Sequence, residues 1–432
     1  MQTDRYGLDL STGSGEARDA YVDAIDRMLA AHGGVEDRLG EAIAADPNFA
    51  MAHVAMARQH QLMARGAEAR HAAETAVGLL DGVSERERGH IEILADVVSG
   101  RIPSSLERTR SHLEHYPRDA FALSPACGVF GSIGFSGRVD REPEQLALLE
   151  PLAEAYGEDW WFLTVHAFAL LEMGRWEQGR ALAERSLEIK PDNSHGAHTL
   201  AHALYEGGAD DVALAFLGQW LDSADPASLM HCHNWWHYSL LLLGADRHDE
   251  ARDAFGANCL PGTNASPTIN VVTDSASFLW RAELAGVPRD DAAWESVRVY
   301  YEENFRRPIV FVDAHAGLPY AALGRTEDLV GCIEQLQELG EQGKLPAGTL
   351  GATLNTAWQA FTAEQWSSVI GLLEPVMSEV VRIGGSRAQR DMVVNTLIAA
   401  LVADGRPGEA AAVATAVGER QPNRPIANFS AG

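Results

Sequence analysis

Apolar residues recur along this chain at three- and four-residue spacing, in stretches about the length of a short helix that are separated by glycine-centred breaks. The clearest unit starts at Trp161. Phe162-Leu-Thr-Val-His-Ala-Phe-Ala-Leu-Leu predicts one amphipathic helix, Gly174-Arg-Trp a turn, and residues 178–189 a second helix that Pro191-Asp-Asn stops. The same order recurs around turns at Gly207-Gly208, Gly244-Ala-Asp-Arg, Gly286-Val-Pro, Gly324-Arg-Thr, Ala363-Glu-Gln-Trp and Gly405-Arg-Pro, at spacings of roughly 34 to 42 residues. Asp46-Pro-Asn-Phe-Ala-Met-Ala-His begins an earlier copy, which turns at Gly66.

Such repetition fits the tetratricopeptide pattern. It predicts an all-α, helical-hairpin solenoid curved around a concave central cavity, in which first helices line the inner surface. We read the chain as one domain, with N-terminal repeats over 1–121, C-terminal repeats over 144–421 and a tail over 422–432. Between the repeats, 122–143 carries Gly128, Gly131, Gly134 and Gly137 and cannot be a stable helix. It reads as an irregular connection or as a lid over the cavity. Stacking of hairpins predicts that Leu170, Leu187, Leu204, Leu241 and Leu329 are buried.

Composition narrows the function classes. The chain has 432 residues, 46% of them apolar, so a large core is within reach. Its 61 carboxylates against 34 basic residues leave a net charge of −27, which disfavours nucleic acid and anionic membrane surfaces as partners. Lys190 and Lys344 are the only lysines and both fall between helices, so Schiff-base and P-loop chemistry find no amine in the right place. No nucleotide, pyridoxal phosphate or haem is expected. Four scattered cysteines without a Cys-x-x-Cys indicate buried thiols in a reducing compartment, and no apolar leader or long apolar run is present. A cytoplasmic protein is expected, and the bias toward Ala, Arg and Gly suggests a bacterial source.

Histidine carries the remaining signal. Of 16 in the chain, His195, His198, His202, His231, His233 and His237 lie close together in sequence. His198, His202 and Glu206 stand at i, i+4, i+8, and His233 and His237 repeat the i, i+4 spacing one hairpin later, which puts each pair on one face. A lone histidine such as His166 or His195 is more often a satisfied core residue than a functional one. Two such pairs in adjacent first helices are harder to explain by packing. Alignment on the turns also places Asp274, Asp313 and His315 in first helices, with Asp313 a candidate N-cap because two positions two apart cannot share a face. Arg387, Arg390 and Asp391 share a face of the last hairpin, where an ordinary intrahelical ion pair explains them equally well. Among the aromatic residues, Trp236 and Trp280 are the candidates for lining a pocket.

The segments His195-Gly-Ala-His-Thr-Leu-Ala-His-Ala-Leu-Tyr-Glu, Cys232-His-Asn-Trp-Trp-His-Tyr-Ser-Leu, Val272-Thr-Asp-Ser-Ala-Ser-Phe-Leu-Trp-Arg and Gly384-Gly-Ser-Arg-Ala-Gln-Arg-Asp together resemble the tetratricopeptide repeat protein 38 family, over most of the chain. The resemblance implies an all-helical repeat fold. It carries polar motif positions onto His198, His202, His233, His237, Asp274, Asp313, His315, Ser386, Gln389, Arg390 and Asp391. At Arg387 the sequence departs from the histidine that the family pattern commonly has. No reaction is implied.

The resulting expectation is an enzyme of hydrolase or lyase type acting on a small polar or anionic molecule. His202 and His237 would move protons, Asp313, His315 and Asp391 would support the catalytic set, and Arg390, Ser386, Gln389, Asp274, Trp236 and Trp280 would bind substrate. A variant holds a divalent metal, zinc or iron, on His198, His202 and His233. The competing expectation is a non-catalytic scaffold with a peptide or protein partner in its groove. Association into a homo-oligomer is compatible with the need to cap solenoid ends.

Overall fold

The computed structural model describes residues 2–416 and 425–429; the rest of the expected tail, 422–424 and 430–432, lies outside the described residues. The chain is all-α and built of helical hairpins. Each pairs a first helix with a second, as in Ala50–Leu62 with Gly66–Gly78, Trp160–Glu172 with Trp176–Ile189, Ser194–Glu206 with Asp210–Leu221, and His231–Gly244 with His248–Asn258. Thr268–Leu284, Val310–Ala322 and Arg387–Ala403 are the first helices of later hairpins. A two-residue strand pairing between Gln2–Thr3 and Asp9–Leu10 precedes the first helix, a feature that hydrophobic periodicity does not reveal.

The turn chemistry explains the regular spacing. The second residue past the end of the first helix enters the left-handed region, which glycine reaches without a Cβ clash. Gly174, Gly208, Gly286, Gly324 and Gly405 do so, and where glycine is absent Ala64, Asp246 and Glu364 take the same conformation at φ of 59°, 58° and 57°.

First and second helices differ in burial. In Val310–Ala322 every residue is buried, whereas in Thr326–Glu341 only Leu329 and Leu336 are. The inner row is thus sandwiched, and its polar side chains must find partners within the protein. Leu170, Leu204, Leu241 and Leu329 are buried as expected, but Leu187 is half-buried, because it sits on a second helix with one flank toward solvent. Asp313 is not an N-cap: it lies inside the helix that Ile309 caps, and its N–H donates to the Ile309 carbonyl.

Two long-range seams bend the hairpins back on one another. The Leu229 N–H donates to the Ala31 carbonyl at 2.9 Å and the Gly33 N–H to Asp225 Oδ2 at 2.9 Å, so the first hairpin meets the middle of the chain. The glycine-rich stretch forms a short 3₁₀ turn over Ser124–Ala126 and then a string of turns leading into Arg141–Leu149. Buried Arg141 donates from that stretch to the carbonyls of Val381 at 2.8 Å and Gly385 at 2.5 Å, and Arg382 Nε returns a bond to the Gly137 carbonyl at 2.8 Å. Gly137, at φ 71°, abuts the Pro346 backbone where no Cβ would fit.

Candidate functional site

The i, i+4 pairs do place their rings side by side, at 4.5 Å between centroids for His198 and His202 and 4.8 Å for His233 and His237. Helices Ser194–Glu206 and His231–Gly244 then bring the pairs face to face, with His198 4.8 Å from His233 and His202 4.5 Å from His237. One potential ligand nitrogen from each of the four lies within 4.8 Å of the others, and all four residues are buried. Phe168 packs on His198 and His202, and Trp236 stacks on His233 at 5.1 Å.

Asp274, from Thr268–Leu284, orients this quartet. Its Oδ2 lies 2.8 Å from His233 Nδ1, so the proton of that imidazole is held on the Asp274 side and Nε2 is left for another partner. Burial pushes His198 and His237 well below the ordinary histidine range, and repulsion among neighbouring imidazoles adds to it. They are therefore neutral near pH 7, the form that ligates metal and not the form that donates protons as an acid. His198 Nε2 and His237 Nε2 are both buried without a hydrogen-bond partner among the described residues.

The other expected positions are distributed around this centre. His315 gives Nδ1 to the Phe311 carbonyl at 2.7 Å, and burial pushes it down to about 4. Asp313 is turned away from it toward Tyr301, whose hydroxyl donates to Asp313 Oδ1 at 2.9 Å, and burial pushes this carboxyl up to about 7. Ser386 caps helix Arg387–Ala403 in a capping box with Gln389, and Gln389 Nε2 donates to Asp274 Oδ1 at 3.5 Å. That amide ties the last hairpin to the His233–Asp274 couple. Arg390 donates to Glu142 Oε1 at 2.5 Å and to the Gly385 carbonyl at 2.6 Å, with Glu172 at 3.5 Å, so its charge is already balanced within the chain. Asp391 accepts from the Tyr205 hydroxyl at 3.1 Å. Trp280 packs with Trp358 and Phe361 and donates to Thr396 Oγ1, which makes it a contact between hairpins.

A cavity of about 260 Å³ adjoins the quartet, with His198 and His233 in its wall. Residues 127–131 of the glycine-rich stretch form another part of that wall, while Phe130 and Phe135 stack and lean on Phe311. Helix Ala50–Leu62 contributes Arg58 and Leu62, residues that the histidine pattern does not single out. The signal for Arg58 is its own: a guanidinium that follows the apolar run Val54-Ala-Met-Ala. No described helix is long and apolar enough to cross a membrane.

No family model matches the chain. Among solved structures it is similar to the human IFIT1 dimer with m7Gppp-AAAA, at 12% identity and a TM-score of 0.41, covering 95% of this chain and 96% of that one. It is also similar to the APC/C hetero-tetramer Cut9-Hcn1, at 12% identity and a TM-score of 0.36 over 93% and 86% of the two chains. Yeast Tom70 matches at 11% identity and 0.33 over 91% and 82%. The likeness is one of helical-repeat architecture.

Proposed function

We propose that this helical-repeat chain binds a divalent metal ion through His198, His202, His233 and His237 and presents it to a small molecule in the adjoining cavity. The observation that supports this most directly is the meeting of four buried imidazole nitrogens within 4.8 Å of one another. Metal–nitrogen bonds of about 2.0–2.1 Å would draw them somewhat closer, and an all-imidazole set suits zinc or ferrous iron. Asp274 behind His233 supplies the carboxylate that commonly stands behind a ligating imidazole. His202 and His237 would anchor the ion, while His198 and His233, which also border the cavity, would face the substrate. An ion there would polarise a carbonyl or activate water, the chemistry of a hydrolase or lyase. Membership of the tetratricopeptide repeat protein 38 family, the partition into repeats 1–121, loop 122–143 and repeats 144–421, and a cytoplasmic location belong to the same proposal.

A second reading rests on the fold itself, since stacked hairpins are widely used as scaffolds: a peptide or protein partner would lie in the groove and the imidazoles would be structural. Plasma mass spectrometry on protein purified without a polyhistidine tag separates the two. We expect near-stoichiometric metal, lost in His198→Ala/His202→Ala; a folded parent with no metal, and with no uptake on adding zinc or ferrous iron, would favour the scaffold.

A further inference from the structure

The chain carries 61 carboxylates, and none of those among the described residues lines the cavity beside the histidine quartet. Its wall is mainly apolar, with Met28, Leu62, Trp161, Val165, Leu229 and Met230 prominent, and among the described residues Arg58 is the one permanent cation there. Arg58 is bonded within the chain to a neutral partner. Its Nη1 donates to the neutral Gln61 Oε1 at 2.6 Å, and no described carboxylate lies within ion-pair distance of it. Arg86 by contrast meets Asp119 and Arg390 meets Glu142, while buried Arg281 is held by the Ala388 carbonyl and the Tyr205 hydroxyl. A guanidinium held in apolar surroundings without a counter-charge is costly and offers a planar two-pronged donor.

We propose that the cavity accepts a small monocarboxylate with an apolar body, its carboxylate paired with Arg58 and its body lying along the apolar wall toward His198 and His233. This deepens the metal-centre reading and rests on it for the chemistry, although recognition by Arg58 is measured separately. One cation fits one negative charge; a phosphate monoester dianion would call for a second permanent cation, and among the described lining residues Arg58 alone is one. For scale, a dry cavity of about 150 Å³ accommodates benzene, so the occupant here is a larger molecule.

The probes are octanoate, octanol and octylamine, titrated calorimetrically into the protein as purified, with metal content determined on the same samples. We expect octanoate to bind about tenfold or more tightly than octanol, and octylamine to bind most weakly. Arg58→Gln should remove the octanoate preference while leaving octanol affinity, metal content and melting temperature unchanged, and Arg58→Lys should recover part of it. Equal binding of octanoate and octanol, or an Arg58→Gln protein that binds octanoate as the parent does, would overturn the inference. So would Arg58-dependent binding of a peptide with a free C-terminal leucine when octanoate does not bind. His198→Ala/His202→Ala separates the two ideas: loss of metal with octanoate binding retained supports both, whereas a metal-free parent that still discriminates through Arg58 removes the metal reading alone.

Discussion

Asp274 has no solvent contact, and it does two things for His233: it fixes which ring nitrogen carries the proton and it supplies a compensating charge nearby. Asp274→Asn preserves the shape and an oxygen acceptor but removes the charge. We expect metal affinity to fall about 10- to 100-fold with the fold retained, read by competition with a chromogenic chelator. Asp313 gives a pH test with a definite sign. Its carboxyl titrates at about 7 in the fold against 3.8 as its ordinary value, because burial penalises the ionised form. Below pH 3.8 both states hold the proton; between there and pH 7 only the unfolded chain releases it, so the parent loses stability as the pH rises. Asp313→Asn should therefore gain melting temperature over the parent progressively across that window and hold a constant advantage above it. The histidine pairs were legible because i, i+4 spacing translates directly into a shared face. Arg58 was not, because its nearness to His198 arises from superhelical coiling across a long stretch of chain and leaves no local spacing to read.

At the level of the helical hairpin, sequence reading worked where one local rule decides the outcome. A left-handed residue follows the end of the first helix, and glycine usually marks it. Glu364 holds that position without glycine's freedom, so Glu364→Gly should stabilise the protein by about 1 kcal/mol in chemical denaturation, whereas the same change at Asp246 should gain less, since aspartate tolerates the region better. Inner and outer helices should also respond differently. Leu204→Ala, on a buried first helix, is expected to cost about 2 to 5 kcal/mol, and Leu187→Ala, half-buried on a second helix, clearly less. Reading Asp313 as a cap failed for a physical reason: an acidic residue near a helix start resembles an N-cap in sequence, but the helix begins at Val310, and the burial that decides its role comes from Tyr301 on the preceding hairpin.

Across the whole molecule, apolar side chains gather into two clusters, one centred on the N-terminal hairpins and one on the rest, joined through helix Trp160–Glu172. Such a chain could fray from either end were it an open array. The seams at Ala31–Leu229 and at Arg141–Gly385 oppose that, because each couples hairpins far apart in sequence. Arg141→Met would leave the carbonyls of Val381 and Gly385 without their donor, and we expect it to lower the melting temperature and to speed proteolytic cutting within 127–140, detected by mass spectrometry of the fragments. Repeat architecture was evident from the spacing of the turns. Closure was not, since it depends on how a small rotation per hairpin accumulates.

The fastening of Arg141 to Gly385 also bears on how this protein can change over generations. Open arrays gain and lose units freely, each new unit needing only a neighbour on either side. Here the glycine-rich stretch must reach the start of helix Arg387–Ala403 while Gln389 of that helix reaches Asp274, so the hairpins between them span a gap of set size. Duplication or loss of one of them would move Arg141 and Gly385 out of register and open the wall beside the histidines. The number of units in this segment is therefore constrained by the cavity, and inheritance would be expected to vary the outer faces of the hairpins far more readily than their count.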